Sequence, residues 1–293
     1  MATNQQRREA AKRKLERQLV RRAERAKRRK IVGVGVVGGV VLIVAGAVVW
    51  IVNSSGSSND AANPPSSSAA PTPPIQIPTQ RAAMPKRPTP LANPVSCDYK
   101  ADAKGKTPKK ATVPDGKNVP STGTVDVTLK STAGDIPVKL DRDLAPCTVN
   151  SFLSLAKQNF YTDTMCHRLG TSGLQMLQCG DPGAKGDPQN DGQGGPGYTI
   201  PDENFPQLTY GRGVLAMAKT REPNSGGSQF FMVYGDAQLQ PDYTVFGSIS
   251  DEGLKVLDKV ARAGITPESQ ASSPDGTGLP ALQVKFTGVS VAN

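Results

Sequence analysis

The 293-residue sequence predicts a mainly β fold: a closed antiparallel barrel capped by two helices, set behind one membrane-spanning helix and a disordered linker. Three observations predict it. From about residue 123 onward the chain breaks into short runs of alternating apolar and polar side chains separated by glycine and proline, the pattern of antiparallel strands joined by tight turns. Only two stretches of that region carry apolar residues at helical spacing. Ahead of it, residues 31–52 hold no charged side chain, and residues 53–120 hold thirteen of the chain's 25 prolines with no sustained apolar period.

Residues 1–30 carry thirteen Lys or Arg against three Glu, which accounts for the whole formal charge of +10. The remainder has as many acids as bases, so the basic character belongs to one end, and nucleic-acid binding by the folded region is not expected. The apolar run 31–52 ends near Trp50, the only tryptophan, and is long enough for a hydrocarbon core that needs about 20 helical residues. It is longer than the apolar core of a cleaved signal peptide, so an uncleaved anchor is expected. The positive-inside rule then keeps 1–30 as a cytoplasmic tail lying on anionic lipid and sends everything after 52 across the cell membrane, making the folded domain extracellular. Residues 53–120, rich in Pro, Ser and Ala, read as a disordered linker, and 121–293 as the folded domain.

Within that domain, 125–130 and 135–140 alternate around Ala133-Gly134-Asp135 and read as a hairpin. In 148–158, Val149, Phe152, Leu153 and Ala156 share a helical face behind Pro146. Strand-like runs follow at 165–169, 176–180, 213–218, 229–233 and 244–250. A second helix is expected over 253–263, with Leu254, Leu257, Val260 and Ala261 on one face, and a last strand over 281–291. Closing such a set of strands removes the edges that invite association.

Four motifs carry chemistry: Cys166-His167-Arg168, Gln178-Cys179-Gly180-Asp181, Ala216-Met217-Ala218-Lys219-Thr220, and the run P-N-S-G-G-S-Q-F-F-M from Pro223 to Met232. In this order and spacing they resemble the cyclophilins, peptidyl-prolyl cis-trans isomerases, over about residues 123–291. The resemblance implies an eight-stranded barrel and an enzyme acting on X-Pro bonds of exported, proline-containing chains, without cofactor or metal. It implies Arg168 as the electrostatic catalyst and Gln178 as the residue orienting arginine and substrate. Met176, Phe231 and Leu239 correspond to the apolar pocket for the proline ring, Gln229 to a substrate-contacting amide, and Ala218, Lys219 and Thr220 to the border of the groove. A signal-anchored isomerase of this layout resembles actinobacterial forms.

The sequence departs from the common pattern at three places. Two additional residues separate Arg168 from Gln178, so Leu174 stands as the candidate for a pocket phenylalanine. Tyr243 replaces a common pocket histidine. Gln238 occupies the position of a tryptophan that hydrogen-bonds cyclosporin, so weakened cyclosporin affinity is expected. These departures also motivate a rival reading, a non-catalytic chaperone or scaffold that binds proline segments.

Other chemistries fit less well. His167 is the only histidine, and adjacent strand residues face opposite sides, so Cys166-His167 is not a thiol-protease pair. A structural, hydrogen-bonded role is expected for it. The stretch 180–197, with Asp181, Asp187 and Asp191, has neither the ending of a phosphate loop nor EF-hand spacing and reads as a surface loop beside the groove. Phe230 and Met217 read as core. The four cysteines all follow the proposed anchor, so two disulfides are expected from three possible pairings. The pairing read here is Cys147 with Cys166 and Cys97 with Cys179.

Overall fold

The computed structural model describes residues 75–102, 105–272 and 276–292. The basic tail 1–30 and the predicted membrane helix 31–52 lie outside the described residues, and no helix among the described residues is long and apolar enough to cross a membrane. All the described residues belong to one compact unit.

The hairpin forms from β2 (Thr124–Ser131) and β3 (Ile136–Asp141), paired from Thr124↔Asp141 to Leu129↔Ile136. Val127, Leu129, Ile136, Val138 and Leu140 turn inward and are buried, as period-2 patterning requires. Helix α1 (Pro146–Lys157) begins with its proline in the first turn and sends the fully buried Phe152 into the interior. There it meets Tyr161 at 4.9 Å and Phe230 at 5.5 Å, and Phe230 stacks on Phe286.

The sheet continues with β4 (Arg168–Gly170), β5 (Leu174–Cys179), β7 (Val214–Met217), β8 (Phe230–Ala237) and β9 (Val245–Ile249). Helix α2 (Asp251–Ala263) is capped by Ser250, whose hydroxyl accepts the Gly253 N–H, and has Asp251 and Glu252 in its first turn. Gly253 lets it lie directly on the sheet: a Cβ there would come within 3.1 Å of Ile249, Ile136 and the Pro137 carbonyl. A bidentate Arg212–Asp258 pair at 2.6 and 2.9 Å fastens the other side of the helix. The chain ends with α3 (Pro267–Ser272), β10 (Thr277–Gly278) and β11 (Phe286–Val291).

The strands form one curled sheet in the order β10-β4-β5-β8-β7-β9-β3-β2-β11. At its seam the Asp163 N–H donates to Phe286 O, Phe286 N–H to Thr164 O and Cys166 N–H to Val284 O, at 2.8–2.9 Å. Among the described residues this sheet has nine strands where eight were expected, and α3 is a third helix. Two-residue β10 and six-residue α3 are too short to leave a periodic trace in sequence.

The largest correction concerns residues 75–102 and 105–120, assigned above to the disordered linker. They form a strap laid on the sheet and helices. Ile77, Met84, Val95 and Tyr99 pack against the core. Val95 pairs with Val119, and Arg81 meets Asp251. Arg87 donates to the carbonyls of Leu144 and Glu203 at 3.0 and 2.6 Å and lies over the Phe205 ring. β1 (Lys100–Ala101) pairs with β6 (Tyr198–Thr199) in a separate two-stranded sheet. Each anchor meets a different place on a surface built by the rest of the chain, so no period appears in the strap itself.

The disulfide pairing is also corrected: Cys97 bonds Cys147, and Cys166 bonds Cys179. The strap brings Cys97 to the start of α1, where the Tyr99 hydroxyl also donates to Cys147 O. Cys166 and Cys179 lie on neighbouring chains of one ladder with Cα atoms 4.0 Å apart, so each cysteine finds its nearest partner.

Candidate active site

The pairing register of three strands builds the site. Arg168 on β4 is opposite Gln178 on β5, Gln178 is opposite Phe231 on β8, and Phe231 is opposite Ala216 on β7. Residues directly opposite share a face, so this row sets the cation, the amide and the aromatic ring side by side on the outside of the sheet. Phe230, one residue away, faces the interior and is fully buried, and Met217 is buried as well.

In front of this row is a recess of about 150 Å³. Its walls are Arg168, Leu174, Met176 and Gln178 from β4 and β5, Phe231 from β8, Ala218 and Lys219 just beyond β7, and Leu239 and Tyr243 from the segment after β8. Nine of the eleven residues expected to catalyse or bind thus line one cavity. The other two, Thr220 and Gln229, line an adjoining cavity of about 390 Å³ that shares Gln178, Ala218 and Lys219 with the first.

The polar side chains are held from behind. Arg168 Nε donates to Thr277 Oγ1 at 3.2 Å. Gln178 Nε2 donates to Gln229 Oε1 at 2.9 Å, and Gln229 Nε2 to Gly194 O at 2.9 Å. The floor is aromatic: Phe231 meets Tyr243 edge-on at 5.6 Å and Tyr210 at 6.3 Å. Tyr210 Oη donates to Tyr243 O and accepts the Tyr243 N–H, clamping that residue's backbone. Burial raises the Tyr210 hydroxyl to about 12, so it stays protonated at neutral pH.

His167 points away from the recess. It is buried, and among the described residues neither ring nitrogen has a hydrogen-bond partner, which corrects the hydrogen-bonded role expected from sequence. Burial lowers its pKa, opposed by Asp181 and Asp191 and reinforced by Arg168, so the imidazole is neutral at pH 7. The loop 180–197 is ordered by its own carboxylates: Asp181 accepts the N–H groups of Gly183 and Gly192, and Asp191 those of Lys185, Gly186 and Asp187. An apolar recess with a cation at its edge and amides at its rim is suited to holding a small ring while polarising one atom beside it.

The family model described as cyclophilin type peptidyl-prolyl cis-trans isomerase/CLD matches residues 124–277, from the first residue of β2 into β10. The chain belongs to the cyclophilin family. It is 45% identical to the probable peptidyl-prolyl cis-trans isomerase B of Mycobacterium leprae (strain TN), over 94% of this chain and 96% of that one. It is 34% identical to peptidyl-prolyl cis-trans isomerase B of Streptomyces anulatus, over 50% of this chain and 90% of the relative. A crystal structure of a Cryptosporidium parvum cyclophilin type isomerase in the presence of dipeptide Ala-Pro is 27% identical, at a TM-score of 0.47, covering 57% of this chain and 99% of that one. The protein is therefore a peptidyl-prolyl cis-trans isomerase.

Sequence reasoning missed several parts of this cyclophilin's site. Thr277 and Tyr210 support other residues through contacts distant in sequence, and nothing local marks them. Asp102 and Lys106, which line the larger cavity, sit in a proline-rich segment whose composition pointed elsewhere.

Proposed function

We propose that Arg168 is the catalytic residue of this isomerase and that the domain works on exported chains outside the membrane that anchors it. An X-Pro bond is held planar by a barrier of about 18–20 kcal/mol. As it twists, conjugation is lost and the prolyl nitrogen becomes a hydrogen-bond acceptor. A fixed guanidinium donating to that nitrogen stabilises the twisted state more than the planar one. Gln178 and Gln229 hold the flanking backbone, and Leu174, Met176, Phe231, Leu239 and Tyr243 hold the ring, with Ala218, Lys219 and Thr220 bordering the groove. The observation that carries this reading is the register row from Arg168 to Phe231, facing a single recess.

The test is cis/trans exchange of an Ala-Pro peptide, followed by NMR exchange spectroscopy with the full chain and with Arg168→Ala. Loss of one preorganised donor is expected to lower the rate about 10²- to 10³-fold. A variant within about three-fold of the parent would remove Arg168 from the mechanism. Peptide shifts without faster exchange in the parent would favour a proline-binding chaperone.

The proposed anchor rests on the uncharged run 31–52 behind the basic residues 1–30. It predicts that the full chain stays in the membrane fraction after alkaline extraction and that protease added to intact cells digests the domain. Recovery of the intact domain in the soluble fraction would overturn it. With Gln238 where cyclosporin's usual hydrogen-bond donor would stand, cyclosporin is expected to bind more weakly than nanomolar.

A further inference from the structure

We propose that Thr277 is a positioning residue for the isomerisation: its hydroxyl fixes the orientation of the Arg168 guanidinium, and the short α3–β10 unit holds that hydroxyl in place. The proposal rests on the reading of Arg168 as the catalytic residue.

Strand register brings the two residues together. Thr277 pairs with Gly170 across the β10–β4 ladder, and Gly278 pairs with Leu169. Gly170 and Arg168 are two residues apart on β4 and share a face, so Thr277 is the diagonal neighbour of Arg168 on that face. From there Thr277 Oγ1 accepts the Arg168 Nε–H at 3.2 Å. The glycine opposite keeps the place open: a Cβ at Gly170 would lie 1.9 Å from Leu174 O and 3.4 Å from Thr277 Cγ2. The methyl of Thr277 rests against bare backbone while its hydroxyl meets the arginine.

Thr277 is itself held from both sides. Gly276 O accepts the Thr171 N–H and the Thr171 hydroxyl, both at 3.0 Å. On the other side Ser269 of α3 is buried, and its hydroxyl accepts the Leu279 N–H at 2.9 Å. The Thr266 N–H donates to Leu279 O at 2.8 Å, and the Ala281 N–H to Gly264 O at 2.9 Å. Helix α3 lies so close to β10 that a Cβ at Gly278 would come within 2.3 Å of Ser269 Cβ. Thr277 is buried, and a buried β-branched side chain has little rotamer freedom. Its oxygen is a fixed point behind the arginine.

A fixed acceptor at Nε matters because of the guanidinium's shape. The group is planar and its donors form a rigid fork, so a bond at Nε sets the plane in which the terminal nitrogens lie. Arg168 lines the recess, and catalysis needs a donor aimed at one atom, the prolyl nitrogen, as the bond twists. Direction preorganised in this way raises the rate rather than the affinity for substrate. A misplacement of about 1 Å can cost about 10²-fold, and loss of an orienting bond is expected to cost less than loss of the arginine itself.

The experiment measures kcat and KM separately for an Ala-Pro peptide by exchange NMR, using the full chain. Thr277→Val keeps the side chain's shape and removes the acceptor, and Thr277→Ser keeps the hydroxyl. Thr277→Val is expected to lower kcat about ten-fold with KM within about two-fold of the parent, and Thr277→Ser to stay within about three-fold of the parent in both. Thr277→Val is also made in the Arg168→Ala chain, where it is expected to change the rate by less than about two-fold, because no guanidinium is left to orient. A general structural defect would lower the rate in both backgrounds. Should Thr277→Val fail to fold, Thr277→Ala takes its place in the same comparison. An unchanged kcat in Thr277→Val, an equal loss in Thr277→Ser, or an equal loss in the Arg168→Ala background would overturn this inference alone. A parent rate unmoved by Arg168→Ala would overturn the reading of Arg168 and this inference with it.

Discussion

Replacing Glu203 by Ala should destabilise the domain although Glu203 lies in no strand or helix. Helix α1 opens without a side-chain cap: its N-cap is Ala145, and Pro146 has no N–H. The next two backbone N–H groups belong to the buried residues Cys147 and Thr148. Both are met by Glu203, with Oε1 accepting from Cys147 N at 2.9 Å and Oε2 accepting from Thr148 N and Thr148 Oγ1 at 2.8 Å. A carboxylate from across the fold thus caps the helix and complements its positive end. Removing it leaves two buried N–H groups and a buried hydroxyl without that acceptor, at about 1–3 kcal/mol each before relaxation. A net loss of about 2–5 kcal/mol is expected, read from urea midpoints at unchanged m-value. Glu203→Gln keeps one acceptor oxygen but turns an NH₂ toward an N–H, and should cost about 1–3 kcal/mol. Burial also raises the Glu203 pKa above 4.5, outweighing its hydrogen bonds and Arg87. Just above pH 4.5 the folded chain therefore binds more protons than the unfolded one, and this carboxyl makes stability fall as pH rises through that window. Glu203→Gln should remove that slope. An Ala variant within about 0.5 kcal/mol of the parent would refute the capping argument.

Three further outcomes are expected. His167 has a lowered folded-state pKa caused first by burial, so as pH falls below 6.5 the unfolded chain takes up the proton first and stability drops until the folded value is passed. The parent's thermal midpoint should fall between pH 7.5 and pH 5.5 by more than that of His167→Phe, and equal slopes would sink the account. Tyr210→Phe removes the hydroxyl that clamps the Tyr243 backbone, so KM for an Ala-Pro peptide should rise several-fold with kcat nearly unchanged; a fall in kcat alone would contradict this. Replacing both members of Cys97–Cys147, whose separation is 50 residues, should cost about 4 kcal/mol, against about 3 kcal/mol for Cys166–Cys179 at a separation of 13, on the loop-entropy account. Chemical denaturation of the two double-serine variants measures both costs, and a reversed order would count against the loop-entropy account.

What could be read in advance was what the local pattern encodes. Alternation in the hairpin and the apolar faces of α1 and α2 are one-dimensional signals, and the structure follows them to within about two residues at each helix end. The recess was legible for a related reason. Arg168, Gln178 and Phe231 lie on three strands, but strand geometry turns spacing into a shared face once the register is set. The strap was not legible, because Arg87, Tyr99 and Lys106 acquire partners only after another part of the chain has built a surface for them. The cysteines show the same limit: any of the three pairings satisfies the count, and only the folded ladder brings Cys166 to Cys179.

The residues that no sequence signal marked share a property. Glu203, Cys97 and Tyr99 converge on the first turn of α1, which the sequence marks only with Pro146, and Arg87 joins them by holding the Glu203 carbonyl. A short way further along the same strap, Asp102 and Lys106 reach the cavity beside the proline recess. The segment that secures the helix is therefore continuous with the segment that lines the cavity next to the recess. Loosening the Cys97–Cys147 attachment should lower stability before it abolishes isomerisation, since Arg168 and Phe231 stand on β4 and β8, which the strap does not build.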